Sequence, residues 1–225
     1  MAAYFTKEFT RFFVELSRNN HKEWFDENRK RYEKEVKEPF LQFTTDFIKE
    51  ASKVDKSLGM EPKTAIFRIN KDIRFSKDKS PYKLHVAAMV NGTHKKDWNN
   101  PRGLYYQFSA EGMWLGGGLY QTEKSIMEDV RIAMYQNPKE FEALMKDKKF
   151  KKMFGGTLQG EKSKIIPKEL KEAAEKQPLI YNKQFYFGAE YEDAKILYSP
   201  DLMKTLISYL EASLPVAKWL AEAVK

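Results

Sequence analysis

Residues 67–90 read FRINKDIRFSKDKSPYKLHVAAMV. From Phe67 the odd positions Phe67, Ile69, Ile73 and Phe75 are apolar, with Lys71 the exception, and the even positions Arg68, Asn70, Asp72, Arg74 and Ser76 are polar. An extended chain sends successive side chains to opposite faces, so this period of two predicts one core face and one charged face. Pro81 disfavours helix at Ser80, and Asp78 to Pro81 is expected to turn. Lys83 to Val90, Leu104 to Ser109 and Gly112 to Leu115 are further strand candidates, rich in Val, Tyr, Phe and Trp. Asn91 to Gly103 is expected to be a loop between paired strands. Strands that follow one another without intervening helices predict a largely antiparallel sheet.

Helical patterns lie on both sides of this block. Thr6 is placed to cap a helix carrying Phe9, Phe12, Phe13 and Leu16, with Phe5 as a staple and Asn19-Asn20 as its end. Asn20 stands three residues before Glu23 and is expected to cap a helix burying Trp24, Phe25, Tyr32 and Val36. Pro39 should interrupt or kink it before Phe40, Phe43, Phe47 and Ile48 resume the apolar stripe, and Val54 to Pro62 reads as a loop. After the sheet, Thr122 is expected to cap one helix and Asn137-Pro138 to open another, which runs to about Met145. A lysine-rich helical turn ends at Gly155-Gly156. Residues 157–166 are ambiguous, a short helix starts at Lys168, and Leu179 to Phe187 reads as a late strand. Ser199-Pro200 opens a final helix with Leu202, Leu206, Leu210 and Leu214, bent at Pro215. The expectation is one α+β domain over residues 1–225, a mostly antiparallel sheet packed with N-terminal and C-terminal helices.

The chain has 225 residues, 42% apolar and 14% aromatic, so disorder and low complexity are excluded. No apolar run approaches a membrane span, and Met1 to Thr10 has no apolar signal core. With no cysteine, disulfides, thiol nucleophiles and Cys-ligated metals are ruled out, and a soluble cytoplasmic protein is expected. The net charge of +8 is unevenly spread. Residues 59–100 carry 9 basic against 4 acidic groups and residues 138–176 carry 11 against 7. A clustered excess points to an anionic partner.

The first of these clusters contains RINKDIRFSKDKSPYK, Arg68 to Lys83. Alternation would put Arg68, Asp72 and Arg74 on one face, where Asp72 can orient the guanidinium groups by bidentate pairing. Lys77, Asp78, Lys79, Tyr82 and Lys83 surround the turn, where loop groups can converge on a ligand. The competing reading is a strand with a solvated, salt-bridged outer face.

This sixteen-residue segment strongly resembles the signature of a bacterial family, the conserved domain of unknown function 2461. The opening FFVELSRNNHKEWFDENRKRYE is similar to that family's start, GGGLY at Gly116 to Tyr120 to its glycine-rich stretch, and the closing helices with Pro215 fit as well. The resemblance covers nearly the whole chain. It implies one compact domain, and it brings no activity, substrate or cofactor with it.

Other motifs say less. Gly116-Gly117-Gly118 could offer backbone N–H groups to an anion near a helix start, so Gly117 and Gly118 join the candidate ligand-binding residues. No GK[ST] follows, and GxGxxG fails at Gln121. Glycines that let an aromatic ring or another backbone pack closely are the favoured explanation of the run. Asn19, Asn20 and Trp24 read as caps and a core aromatic, with a pocket rim as the alternative. Lys146 to Lys152 could touch nucleic-acid backbone or simply be solvated. His21, His85 and His94 have no ligand spacing, so neither metal nor cofactor is expected. Two functional readings result. In the first, Arg68 and Arg74 clamp an anionic, phosphate-bearing small molecule, Asp72 orients them, and the lysines add charge. Asp78 and Tyr82 are then the acid–base candidates if a reaction is catalysed. In the second, the segment is a non-catalytic interaction module for a protein or nucleic acid. A third possibility is structural: the charges form a buried ionic network. Oligomeric state and substrate are not assigned.

Overall fold

The computed structural model describes residues 3–74 and 76–224; the expected inward position of Phe75 lies outside the described residues. Helices stand at both ends of the chain around a four-stranded antiparallel sheet of order β1-β2-β3-β4, an α+β fold. The strands are β1 (His85–Val90), β2 (Leu104–Ser109), β3 (Met113–Leu119) and β4 (Phe185–Tyr191). The fold class and antiparallel order expected from consecutive strands therefore hold. The chain divides into two compact units, Met1–Lys95 with Tyr105–Leu115 and Glu190–Ser208, and Lys96–Leu104 with Gly116–Ala189 and Tyr209–Lys225.

In the first unit, α1 (Lys7–Arg18) is capped by Thr6, whose side chain accepts from the Glu8 amide, and it buries Phe9, Phe12, Phe13 and Leu16. The Phe5 ring packs 4.7 Å from that of Phe9. The next helix, α2 (Lys22–Glu27), departs from expectation at its start. His21 is its N-cap, accepting from the Trp24 amide at 3.4 Å, because the Asn20 amide is committed elsewhere. Helix α3 (Arg29–Tyr32) runs into a π-helical turn over Glu33–Lys37 and then α4 (Glu38–Val54). Pro39 sits in the first turn of α4, so it neither ends nor breaks the helical path. The wider π turn just before it suits a residue that lacks an N–H and crowds the preceding carbonyls.

α4 buries Phe40, Phe43, Thr44, Phe47 and Ile48. Phe43 packs edge-on to Tyr106 at 5.9 Å and lies 5.3 Å from Phe108, both on β2. The Tyr106 hydroxyl, wholly buried, donates to Thr44 Oγ1 at 2.9 Å. That bond removes the penalty of burying a phenol with no partner. A short helix α5 (Pro62–Ala65) precedes the arm described below.

In the second unit, α6 (Lys124–Gln136) has Glu123 at its N-cap. The expected cap, Thr122, instead donates to Asn99 Oδ1 at 3.0 Å. α7 (Pro138–Lys146) starts at the predicted proline, and α8 (Lys148–Phe154) is capped by Asp147 and ends on Gly155 in the left-handed conformation, φ 78°. Residues 157–166 make two antiparallel bridges, Gln159 with Tyr186 and Lys162 with Asn182. The short helix after Lys168 is a 3-10 turn followed by α9 (Lys171–Lys176). The late strand begins at Phe185, later than predicted, because Pro178 opens a 3-10 turn through Tyr181. The last helix, α10 (Leu202–Ala223), contains Pro215 in its interior.

Candidate functional site

The period-two segment forms an antiparallel arm. Phe67 N donates to Ala87 O at 2.9 Å, Lys83 N to Ile69 O at 2.8 Å and Lys71 N to Pro81 O at 2.8 Å, with bridges at Ile66–Ala88 and Asn70–Tyr82. Arg68, Asn70, Asp72 and Arg74 are exposed and Ile69 is buried, as alternation requires. The pairing is a set of separate bridges rather than a continuous strand, in keeping with a proline that has no N–H to give.

The inward exception, Lys71, closes the base of the arm's tip. Its ammonium pairs with Asp78 and donates to Ser80 Oγ at 3.0 Å. Asp78 also accepts from Ser80 N at 2.8 Å and Ser80 Oγ at 2.9 Å, which sets the predicted turn. Lys71 and the two Ser80 bonds hold the Asp78 carboxyl far below the usual range. So acidic a carboxylate is a poor general base near neutral pH, and its oxygens already serve the turn.

Within the tip, Asp72 accepts from Arg74 Nε at 2.9 Å and Nη2 at 2.7 Å, a bidentate pair, and from the Arg74 amide at 3.3 Å. These bonds lower the Asp72 carboxyl to about 2, with Arg68 adding a through-space contribution. Asp72 therefore orients Arg74 by hydrogen bonds and feels Arg68 only as a nearby charge. Lys79 Nζ donates to Ile73 O at 3.0 Å. Lys83 Nζ donates to Arg68 O at 3.2 Å and lies 5.6 Å from the Phe67 ring centre. Burial, then Arg68, pulls the Lys83 ammonium down. Lys77 is exposed. The ionic network is thus a surface one: the Arg74 and Asp72 side chains are 75% and 47% exposed.

Tyr82 is set differently, 6% exposed, with its ring stacked on Phe25 at 4.0 Å and 16°. Asn20 holds its backbone on both sides, Nδ2 donating to Tyr82 O at 2.9 Å and Oδ1 accepting from Tyr82 N at 3.1 Å. Burial and Asp26 raise the phenol, against Arg29 and Lys22, so it stays protonated at neutral pH. Tyr82 thus anchors the arm. Neither Asn20 nor Phe25 was legible as its partner, since 62 residues separate Asn20 from Tyr82 and no local pattern links them. Asn19 ends α1 by donating from Nδ2 to Glu15 O at 2.9 Å, and Trp24 packs 5.6 Å from Phe12.

Gly117 and Gly118 lie within β3 in the second unit. A Cβ on Gly117 would stand 2.8 Å from Phe187 Cζ and 3.1 Å from Gly103 O. On Gly118, with φ +89°, it would stand 2.5 Å from Phe185 O. The close approach of β4 accounts for both glycines. Among the described residues, no group of three or more His, Asp or Glu could hold a metal ion, and no helix is long and apolar enough to cross a membrane.

No curated protein and no solved structure matches the chain. A family model described as conserved hypothetical protein (DUF2461) matches residues 8–219, a span that includes Asn20, Phe25 and the whole arm. Because that match takes in nearly the full length, both the arm and the clamp that holds it are features of a chain that belongs to the DUF2461 family.

Proposed function

We propose that the arm from Arg68 to Lys83 binds an anionic, phosphate-bearing ligand, with Arg74, Arg68 and Lys77 as its contacts. The observation that carries this reading is the Asp72–Arg74 pair at the exposed tip. Two parallel hydrogen bonds fix the plane of the guanidinium, and a fixed fork loses less freedom when it meets a phosphate. Six cations stand against two carboxylates in these sixteen residues, so the tip attracts anions from a distance. Lys71 and Asp78 are assigned to the structure of the turn, Lys79 and Lys83 to backbone carbonyls with charge to spare. Tyr82 holds the arm in place. A cytoplasmic setting goes with this reading and with the cysteine-free sequence.

Titration with tripolyphosphate, followed by calorimetry, tests it. Arg74→Ala should abolish binding and leave the melting temperature unchanged, while Lys151→Ala on α8 should bind normally. If Arg74→Ala unfolds the protein instead, the charges serve the fold.

The exposure of Arg74, 75% of its side chain, also supports a second reading, a docking surface for a polyanion such as a nucleic-acid backbone. That reading requires binding to mixed-sequence oligonucleotide that weakens steeply with salt, and no binding at low salt would remove it.

A further inference from the structure

The second unit contains two buried donor side chains, Arg131 and Asn182, beside an exposed lysine, Lys162, and among the described residues no side-chain acid pairs with any of them. Arg131, on α6, is 5% exposed and Asn182, shortly before β4, is 1% exposed. Arg131 Nη2 donates to Asn182 O at 2.8 Å. Lys162, opposite Asn182 in an antiparallel bridge, donates from Nζ to Asn182 Oδ1 at 2.5 Å and to Pro178 O at 2.8 Å. Both acceptor atoms of Asn182 are therefore engaged by cations. Arg131 Nε and Asn182 Nδ2 remain, buried and without a hydrogen-bond partner among the described residues.

The electrostatic balance is as uneven as the hydrogen bonding. A guanidinium keeps its charge in a protein, so burial cannot be relieved by losing a proton. Desolvation lowers both the Arg131 and the Lys162 pKa. Glu128, on the same helix, acts on Arg131 only through space, and its carboxylate lies 3.7 Å from Lys124 Nζ. Buried donors left unmet cost more than an ordinary hydrogen bond contributes, and buried charge needs a counter-charge.

We infer that Arg131 and Asn182, with Lys162 beside them, hold a small inorganic anion, for which chloride is the simplest probe. Every group still unmet in the cluster is a donor. Water can accept from both, but it leaves the charge of the buried Arg131 without a counter-charge. An anion accepts from all sides and neutralises the charge. The site is separate from the arm in residues and in kind: a buried ion that stabilises the unit, not a recognition surface.

The test is thermal unfolding of the full chain while sodium gluconate is replaced by sodium chloride at constant ionic strength. The melting temperature should rise with the logarithm of chloride concentration above the dissociation constant, by about 3 °C where chloride exceeds that constant several-fold. Asn182→Asp supplies the negative charge internally, keeps an acceptor for Lys162 and removes the unmet amide. It should melt at or above the wild-type temperature in trace chloride and lose the chloride response. A response that is linear in chloride concentration or absent in the wild type, or one retained by Asn182→Asp, overturns the inference. So does a lower melting temperature for Asn182→Asp in trace chloride.

Discussion

Asn20 grips Tyr82 by its backbone, donating to its carbonyl at 2.9 Å and accepting from its amide at 3.1 Å. One side-chain amide thereby stands in for a strand neighbour and ties the start of α2 to the base of the arm. Asn20→Ala leaves both Tyr82 groups unmet and should cost about 2–4 kcal/mol in urea unfolding. Asn20→Asp sets a carboxylate oxygen against the Tyr82 carbonyl in place of the donor and should recover none of that loss. Equal stability for all three proteins would show that the clamp is incidental.

The pH response of the arm follows from Asp72. Its folded pKa of about 2 lies below the ordinary value of 3.8, so the pairing with Arg74 is fully present above pH 4. It should be lost as pH falls from about 4 through 2. Carbon NMR of the Asp72 carboxyl should give that midpoint, and Arg74→Ala should move it upward.

His85 gives a separate response nearer neutrality. Burial, with help from Lys83, pushes its imidazole from 6.5 down to about 4. A folded pKa below the unfolded one favours the neutral ring, so the contribution is complete above pH 6.5 and is lost as pH falls towards 4. The total is roughly 3 kcal/mol. Urea unfolding of wild type and His85→Gln at pH 7 and pH 4 should show this slope only in the wild type.

The glycines of β3 predict a packing result. Gly117→Ala meets the Phe187 ring and should destabilise by about 1–3 kcal/mol, partly recovered by Phe187→Leu. Gly118→Ala meets the backbone of Phe185 at a positive φ, so no side-chain replacement should recover it.

What the sequence disclosed and what it withheld divide along a physical line. Thr6, Pro138 and Gly155 mark helix ends through short-range chemistry, and all three ends lie where these residues put them. Leu104 to Ser109 reads as a strand because its alternation is local, and β2 has those bounds. Asn20 and Thr122 carry the same cap signals, but each was drawn to a distant partner, Tyr82 and Asn99. In the arm, the outward face and the Asp72–Arg74 pair were legible because they need only neighbours in sequence. Lys71's bond to Asp78 was not, since it depends on where the turn brings the chain back. Nothing in a single sequence marks Arg131, Lys162 and Asn182 as neighbours across 51 positions.

The claim that the arm binds phosphate is tested most directly at the Arg74 side chain itself. The Nε–H resonances of Arg68 and Arg74 should be followed by nitrogen NMR as tripolyphosphate is added. Saturating shifts at these two residues, absent in Arg74→Ala and larger than any on α8, are predicted. Shifts confined to the lysines of α8, or none that saturate, would contradict it.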